Sequence, residues 1–388
     1  MTGVLRQTAA ISAWSFRSLA GRLTPTVVAV TGFFAVVLVF VAVLSIRDGF
    51  ARVMHDSDSA DVAYVSGHHS PLTQTELSLI GQAPGVVRGA QGAEVVGIYT
   101  VTAQIPMPDK GMIGSVTLRG VPTDVTGIWP QLHIVAGRMF KPGMDEIIVG
   151  RQAERLFPGL EIGDTFDWNR HHWAVVGVFA MGGGIHESEI FTDVGQLQQA
   201  YNAVGNYDEA LVRLSAPGAF PAFKHWVEHN PQLNVSAQRA DQVWRQQAGS
   251  LDGPIVLIGG VVTLLMTVGA IFGALNIMYA GVSDRLRDIA TLRAMGFGRA
   301  SVLGAVLLEG MTLGLAGGGL AAILSYWIFN GYQTSTLANG AMMAFSFAVT
   351  PGLILAALVL ALLMGFVGGL FPAIHASRLS VAQALREA

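Results

Sequence analysis

The sequence predicts a membrane protein with four transmembrane α-helices and a large α+β extracytoplasmic domain inserted between helices 1 and 2. Three observations carry this. Charged residues make up only 13% of the 388 positions, about half the share in an ordinary soluble domain. They are missing in blocks, and four blocks are long enough to cross a bilayer, which takes about 20 apolar residues. Residues 47–253, between the first two blocks, have ordinary soluble composition and hold nine of the ten histidines.

Composition also removes whole function classes. A net charge of -3 supplies no basic footprint for nucleic acid. The three lysines, Lys110, Lys141 and Lys224, never follow a glycine, so there is no phosphate-binding Walker A sequence. The absence of cysteine excludes disulfides, thiolate metal sites and a cysteine nucleophile.

The spans read as 27–46, 255–282, 302–329 and 351–374. Only the third contains a charge, Glu309. An acid at a helix centre costs roughly 3 kcal/mol on the insertion scale. The segment's many Val, Leu, Ile and Phe residues each return roughly 0.3–0.6 kcal/mol, so insertion still wins. The first span is too long for the apolar core of a cleaved signal peptide.

Arginine placement sets the orientation. Arg6, Arg17 and Arg22 precede the first span, Arg285, Arg287, Arg293 and Arg299 lie between the second and third, and Arg378 and Arg386 follow the fourth. The expected order is an amphipathic cytoplasmic N-terminus at 1–26, the outer domain at 47–253, a cytoplasmic loop at 283–301, a short outer loop at 330–350 and a cytoplasmic tail at 375–388. Both termini then face the cytoplasm of a cell whose inner membrane holds the chain. Residues 330–346 carry no charge.

In the outer domain, β-rich runs at 62–65, 95–101, 115–118, 146–149, 173–179 and 209–214 mix with helical patterns at 73–82, 193–204 and 221–229. Thr73 and Glu76 stand at capping-box spacing. The mixture does not alternate regularly, which favours α+β over a doubly wound sheet. Residues 239–250 read as a stalk into the second span.

Chemistry in this domain has to be weighed against duller readings. His225 and His229 have ligand spacing on a helix but no third partner. His68–His69 and His171–His172 are adjacent, so on a strand their side chains diverge. The run His186-Glu187-Ser188-Glu189 lacks the second histidine of the zinc-protease pattern. It follows Gly182-Gly183-Gly184, read as a flexible loop that alternatively touches a substrate or partner. There is no G-x-S-x-G. No catalytic residue and no metal site are expected.

The cytoplasmic segment is the informative one. Val282, Leu286, Ile289, Leu292 and Met295 recur on one helical face, and Asp284, Arg285, Arg287, Asp288 and Arg293 occupy much of the rest. Gly296 supplies the stop. On physical grounds alone, such a helix lies along the membrane or docks on a partner.

This segment resembles the FtsX/MacB-type permease family of ABC transporters, whose pattern here runs roughly E-R-x-x-E-I-G-x-x-R-A-x-G-A. Asp284, Arg285, Asp288, Ile289, Ala290, Arg293, Ala294, Gly296 and Phe297 stand in register. Asp replaces Glu twice, Ala290 replaces Gly and Phe297 replaces the final Ala. Leu308-Glu309-Gly310 through Gly317-Gly318 is similar to the family's third span. Pro372-Ala373, Ala376-Ser377, Leu379 and Ala384-Leu385-Arg386 are similar to its tail, with Val381 near a frequent proline. Gly137-Arg138-Met139-Phe140, Leu160-Glu161-Ile162-Gly163-Asp164 and Val175-Val176-Gly177-Val178 are similar to its MacB-type periplasmic core.

The resemblance implies a permease subunit, not itself an enzyme, working as a homodimer on a separate cytoplasmic ABC ATPase dimer that binds the ATP. The 282–297 helix is then the coupling helix, with Asp284, Arg285, Arg287, Asp288 and Arg293 as polar contacts, Ile289 and Leu292 as anchors, and Gly296 closing it. ATP-driven movement of the outer domain, or mechanotransmission, extrudes substrate from the periplasmic side with a periplasmic adaptor (membrane fusion) protein and an outer-membrane channel. The alternatives are an FtsX-like regulator or sensor of a cell-envelope partner, and a lipoprotein-release permease. Gly269 and Gly273, then Gly310, Gly314 and Gly318, then Gly365 and Gly369 recur at four-residue spacing, the pattern of close helix packing within membrane lipid.

Overall fold

The computed structural model describes residues 23–55, 60–89, 92–107, 112–283, 286–338 and 340–378. The helices are α1 (Leu23–His55), α2 (Gln74–Ile80), α3 (Arg151–Leu156), α4 (Val194–Ala200), α5 (Phe220–His229), α6 (Ala240–Ser283), α7 (Leu286–Ala294), α8 (Arg299–Phe329) and α9 (Pro351–Arg378). The principal strands are β1 (Val62–Gly67), β2 (Val95–Met107), β3 (Met112–Val121), β4 (His133–Gly137), β5 (Glu146–Gly150) and β6 (Thr165–Trp168). They continue as β7 (His171–Ala180), β8 (Ile190–Asp193), β9 (Glu209–Arg213), β10 (Val235–Arg239), β11 (Gln333–Ala338) and β12 (Ala341–Ser346).

These elements form two compact units. One is built on the chain up to Asp48, on Asp252–Tyr332 and from Phe347 onwards; the other on Gly49–Leu251 and Gln333–Ser346.

Four helical segments, Thr26–Met54, Val256–Ser283, Arg299–Phe329 and Pro351–Arg378, are long and apolar enough to span a membrane. The core of the helical unit joins Phe33 and Val37 of α1, Met278 of α6, Leu313 of α8 and Met364 of α9. Its tightest seam is glycine on glycine. A Cβ on Gly310 would stand 2.6 Å from the Gly365 carbonyl oxygen, and one on Gly314 would overlap that of Ala361. Gly318 meets the Ala361 methyl as closely, and Gly369 lies against Gly310 and Val306. Gly269 and Gly273 differ, because no described residue comes within 4 Å of their Cβ positions. With Gly32 they line an apolar groove of about 300 Å³ between α1 and α6.

The other unit is α+β. Its ten-stranded sheet runs β10-β1-β9-β2-β3-β8-β5-β7-β4, with β6 on the edge of β7. Most pairs are antiparallel, but β5–β7 and β3–β8 are parallel, as suits irregularly mixed strands and helices. Two hydrophobic cores lie along it. One gathers Ala63, Val65, Ile80, Val212 and Phe223 under α2 and α5; the other gathers Val116, Leu118, Ile147, Phe157 and Trp173. Thr73 caps α2 as its spacing predicts: its backbone N–H donates to Glu76 Oε2 at 2.8 Å, and the Glu76 N–H returns to Thr73 Oγ1. The 239–250 stalk is helical from Ala240, the start of the 44-residue α6.

The charge-free stretch after α8, expected as a short outer loop, has regular structure of its own. Gln333–Ala338 and Ala341–Ser346 pair in full register as an antiparallel hairpin that belongs to the α+β unit. In β12 the absence of charge goes with burial: Ala341, Met343, Ala344 and Phe345 are all buried.

Candidate functional site

The predicted coupling segment folds as α7, nine residues long, with Asp288 in its first turn and Arg293 in its last. That placement complements the helix dipole at both ends. The backbone N–H groups of Met295 and Gly296 continue onto Thr291 and Arg293. Gly296 then takes φ +96, the left-handed stop a glycine tolerates. Asp288 is exposed and Arg293 half-buried, while Asp284 and Arg285 lie outside the described residues.

The anchors are redistributed. Ile289, expected to enter a partner's pocket, is only 7% exposed and packs in the core of the chain's own helical unit, with Leu292 and Phe297 against it. Ile289 and Leu292 therefore seat α7 on its own bundle. Met295, just past the end of α7, is a large apolar side chain left outward at 64% exposure. Glu309 is buried in α8 at 6% exposure.

The outer unit contains a second concentration of polar groups. Turn Ile185–Ser188 leads through Glu189 into β8, and the four polar residues His186, Glu187, Ser188 and Glu189 are all buried. Each has a partner. Arg119 on β3 grips Glu189 with two parallel bonds, Nε to Oε2 at 2.8 Å and Nη2 to Oε1 at 3.0 Å. His186 Nδ1 lies 3.0 Å from Glu189 Oε2, and its ring stands 4.7 Å from that of Trp129. Glu187 Oε1 accepts from the Met181 and Gly183 N–H groups at 2.8 and 2.9 Å. The glycine run, expected to be flexible, is thus tied down, with Gly182 and Gly183 in the left-handed region at φ +67 and +88. Ser188 Oγ accepts from the Ala344 N–H of the β11–β12 hairpin at 3.0 Å.

Burial alone raises the Glu189 carboxyl, but Arg119 and then His186 more than reverse this and hold it at about 2. Burial opposes the Arg119 charge, yet Glu189 and then Glu209 keep its pKa above the ordinary arginine value. Glu209 is pushed up by burial, and Arg119 draws it back only in part. Arg138 holds Glu146 through two 2.6 Å bonds, bringing that carboxyl to about 2.

Glu146 and Glu189 stay ionised when folded but titrate near 4.5 when unfolded. Both contribute stability above that value and lose it as pH falls from about 4.5 towards 2. Raised Glu209 works in the opposite sense at higher pH, gaining as it protonates. The outer unit is therefore expected to resist heat best in mild acid and to weaken steeply below about pH 4.5. Fluorescence of the fully buried Trp129 and Trp173 checks this, and Glu146→Gln is expected to flatten the acid limb.

The histidine pairs stay peripheral. His225 and His229 have ring centroids 4.1 Å apart, and His171 contacts Asp145 at 2.9 Å. Among the described residues, no three His, Asp or Glu side chains gather as a metal site. Sequence reasoning missed Arg119, the polar turn's role and the hairpin. A usable signal existed for the hairpin: Asn339-Gly340 between two β-prone runs is the strongest short-range hairpin marker.

Two family descriptions match the chain, MacB-like periplasmic core domain over residues 26–229 and FtsX-like permease C-terminal over 260–381. No curated protein matches at a significant level. Among solved structures, the periplasmic region of MacB from Actinobacillus actinomycetemcomitans is similar at 10% identity, over 48% of this chain and 92% of that one, with TM-score 0.37. The extracellular domain of the noncanonic ABC-type transporter YknZ from Gram-positive bacteria is similar at 13% identity, over 46% and 100%, with TM-score 0.36. A domain of a putative permease protein from Porphyromonas gingivalis is similar at 12% identity, over 48% and 88%, with TM-score 0.31. The MacB-like match alone spans more than half of the sequence and the FtsX-like match takes up most of the rest: the chain is a multi-pass membrane protein of the FtsX/MacB-type ABC transporter permease family, a membership that implies association with an ABC ATPase.

Proposed function

We propose that this chain is the membrane subunit of an ABC-type exporter, coupling ATP hydrolysis by a separate cytoplasmic ATPase dimer to movement of its outer domain. The observation that carries the reading is α7. It is a short helix between the second and third spans, seated on its own bundle by Ile289 and turning Asp288 and Met295 outward. One apolar anchor ringed by charge is how a small interface gains both energy and register. Arg293, half-buried, adds to that rim, and in sequence Asp284, Arg285 and Arg287 supply further charge nearby.

The rest of the mechanism follows from what the spans lack. Apart from Glu309, residues 27–46, 255–282, 302–329 and 351–374 are uncharged, so they offer no hydrophilic route through the bilayer. Substrate is instead taken up and expelled on the outer side as two copies of the chain move against each other. Helix α6 supports pairing: Leu257, Leu264, Leu265 and Phe272 are all exposed in the single chain. The chain sits in the inner membrane with both termini inside, and an adaptor protein, leading to an outer-membrane channel, receives the cargo.

Gentle-detergent purification of the tagged chain, with mass spectrometry of what accompanies it, tests this. An ATPase together with an adaptor is the expected result. An ATPase accompanied by a cell-wall hydrolase or a sensor kinase would replace export with regulation.

A further inference from the structure

Three facts converge on the β11–β12 hairpin. It is inserted between α8 and α9, yet folds as part of the outer unit. Two-stranded hairpins are marginal in water on their own, so this one depends on its docking. Met342 packs against the core around Val116 and Ile147, Phe345 meets the edge of Phe50 with ring centroids 6.0 Å apart, and Ala344 bonds Ser188.

The receptor for the hairpin is unusually costly to build. Turn Ile185–Ser188 and Glu189 bury four polar side chains in five residues, and buried polar groups are stabilising only when every one is satisfied. Glu189 is held from two sides by Arg119 and His186, while Glu187 fixes the preceding glycine loop. Gly150 lies so close beneath that a Cβ there would overlap the Glu187 carbonyl, and its N–H donates to the Glu189 carbonyl at 2.9 Å. Ser188 is thereby presented at one fixed position.

We propose that the β11–β12 hairpin is a latch through which α8 and α9 act on the outer domain, with Arg119, His186 and Glu189 as positioning residues that hold the receptor turn for Ser188 to grip it. The outer domain then has three attachments to the spans: α1 entering, α6 leaving, and the hairpin. The first two are continuous helices, which carry load covalently. The hairpin is the one attachment that carries load through a docked, breakable contact. The transmission step rests on the exporter reading; the docking does not.

The experiment has two arms. Amide hydrogen exchange is measured on the full chain in detergent for wild type, Ser188→Ala and Glu189→Gln. Loss of one buried hydrogen bond is expected to speed exchange over 341–346 about five- to tenfold in Ser188→Ala, and further in Glu189→Gln. Strands β5 and β7 are expected to keep wild-type protection. Wild-type hairpin rates in Ser188→Ala would overturn the latch, whether or not Glu189→Gln folds.

The second arm repeats the exchange on the complex with the co-purifying ATPase, with and without a non-hydrolysable ATP analogue. Nucleotide is expected to shift protection of the outer unit in wild type, and the shift is expected to fall by at least half in Ser188→Ala. A full shift in Ser188→Ala would overturn transmission through the hairpin. No shift in wild type would overturn the coupling reading itself, leaving the first arm to decide on the docking.

Discussion

Replacing Gly314 by leucine (Gly314→Leu) is expected to prevent α8 and α9 from packing, leaving the protein aggregated in detergent or melting far below wild type. A Cβ on Gly314 already overlaps the Ala361 carbonyl oxygen, and Gly365 stands 3.4 Å away. Overpacking costs roughly 1–3 kcal/mol where side chains can give way. Here the obstacle is backbone in a neighbouring helix, so the whole helix must move. The loss also spreads to Gly310 and Gly318, which share the seam. Gly273→Leu is the control, because no described residue stands within 4 Å of that Cβ position. It is expected to leave the fold of the single chain intact. Equal size-exclusion profiles and melting temperatures for Gly314→Leu and wild type would contradict the packing account.

The second large effect is expected from Glu189→Ala. Arg119 is only 5% exposed, and its Nε and Nη2 both donate to Glu189. Truncating one partner of a buried ion pair leaves an uncompensated charge and typically costs about 3–5 kcal/mol. His186 loses its carboxylate in the same step. The outer unit is expected to unfold at a markedly lower denaturant concentration, with the α8–α9 seam unaffected. Replacing both partners by apolar groups of similar volume is often close to neutral. Arg119→Met with Glu189→Met is therefore expected to recover part of the loss, and a double-mutant cycle measures how much belongs to the pair. A single variant as stable as wild type would mean that the cluster contributes nothing to the fold.

These two sites differ in how far the sequence discloses them. The glycine seam is visible as a four-residue repeat, because close helix packing demands small residues at that period. The repeat does not say which glycines are used: Gly310, Gly314, Gly318, Gly365 and Gly369 meet a neighbour, whereas Gly269 and Gly273 line an open groove. Long spans, the capped start of α2 and the main strands are legible because each is set by local composition or spacing.

Arg119 is hidden for a tertiary reason. In β3 it follows Leu118 where alternation calls for an outward residue, but there Glu189, at the end of the polar turn, meets it with two bonds and it is buried. Ile289 misleads in a related way. A helical apolar stripe marks a buried face without naming what buries it, and here the chain's own bundle does. The hairpin escapes because its missing charge reads equally well as a membrane-side loop and as a buried ribbon.

The claim that α7 docks on a partner ATPase is tested most directly by comparing ATPase recovery on wild type with that on the Arg285→Glu, Asp288→Arg double variant. Both proteins are purified in gentle detergent and checked for equal folding by melting temperature. The account predicts stoichiometric ATPase with wild type and at least a tenfold loss with the variant, since like charges brought together across an interface cost several kcal/mol. Equal ATPase recovery on the two proteins, both well folded, would contradict it.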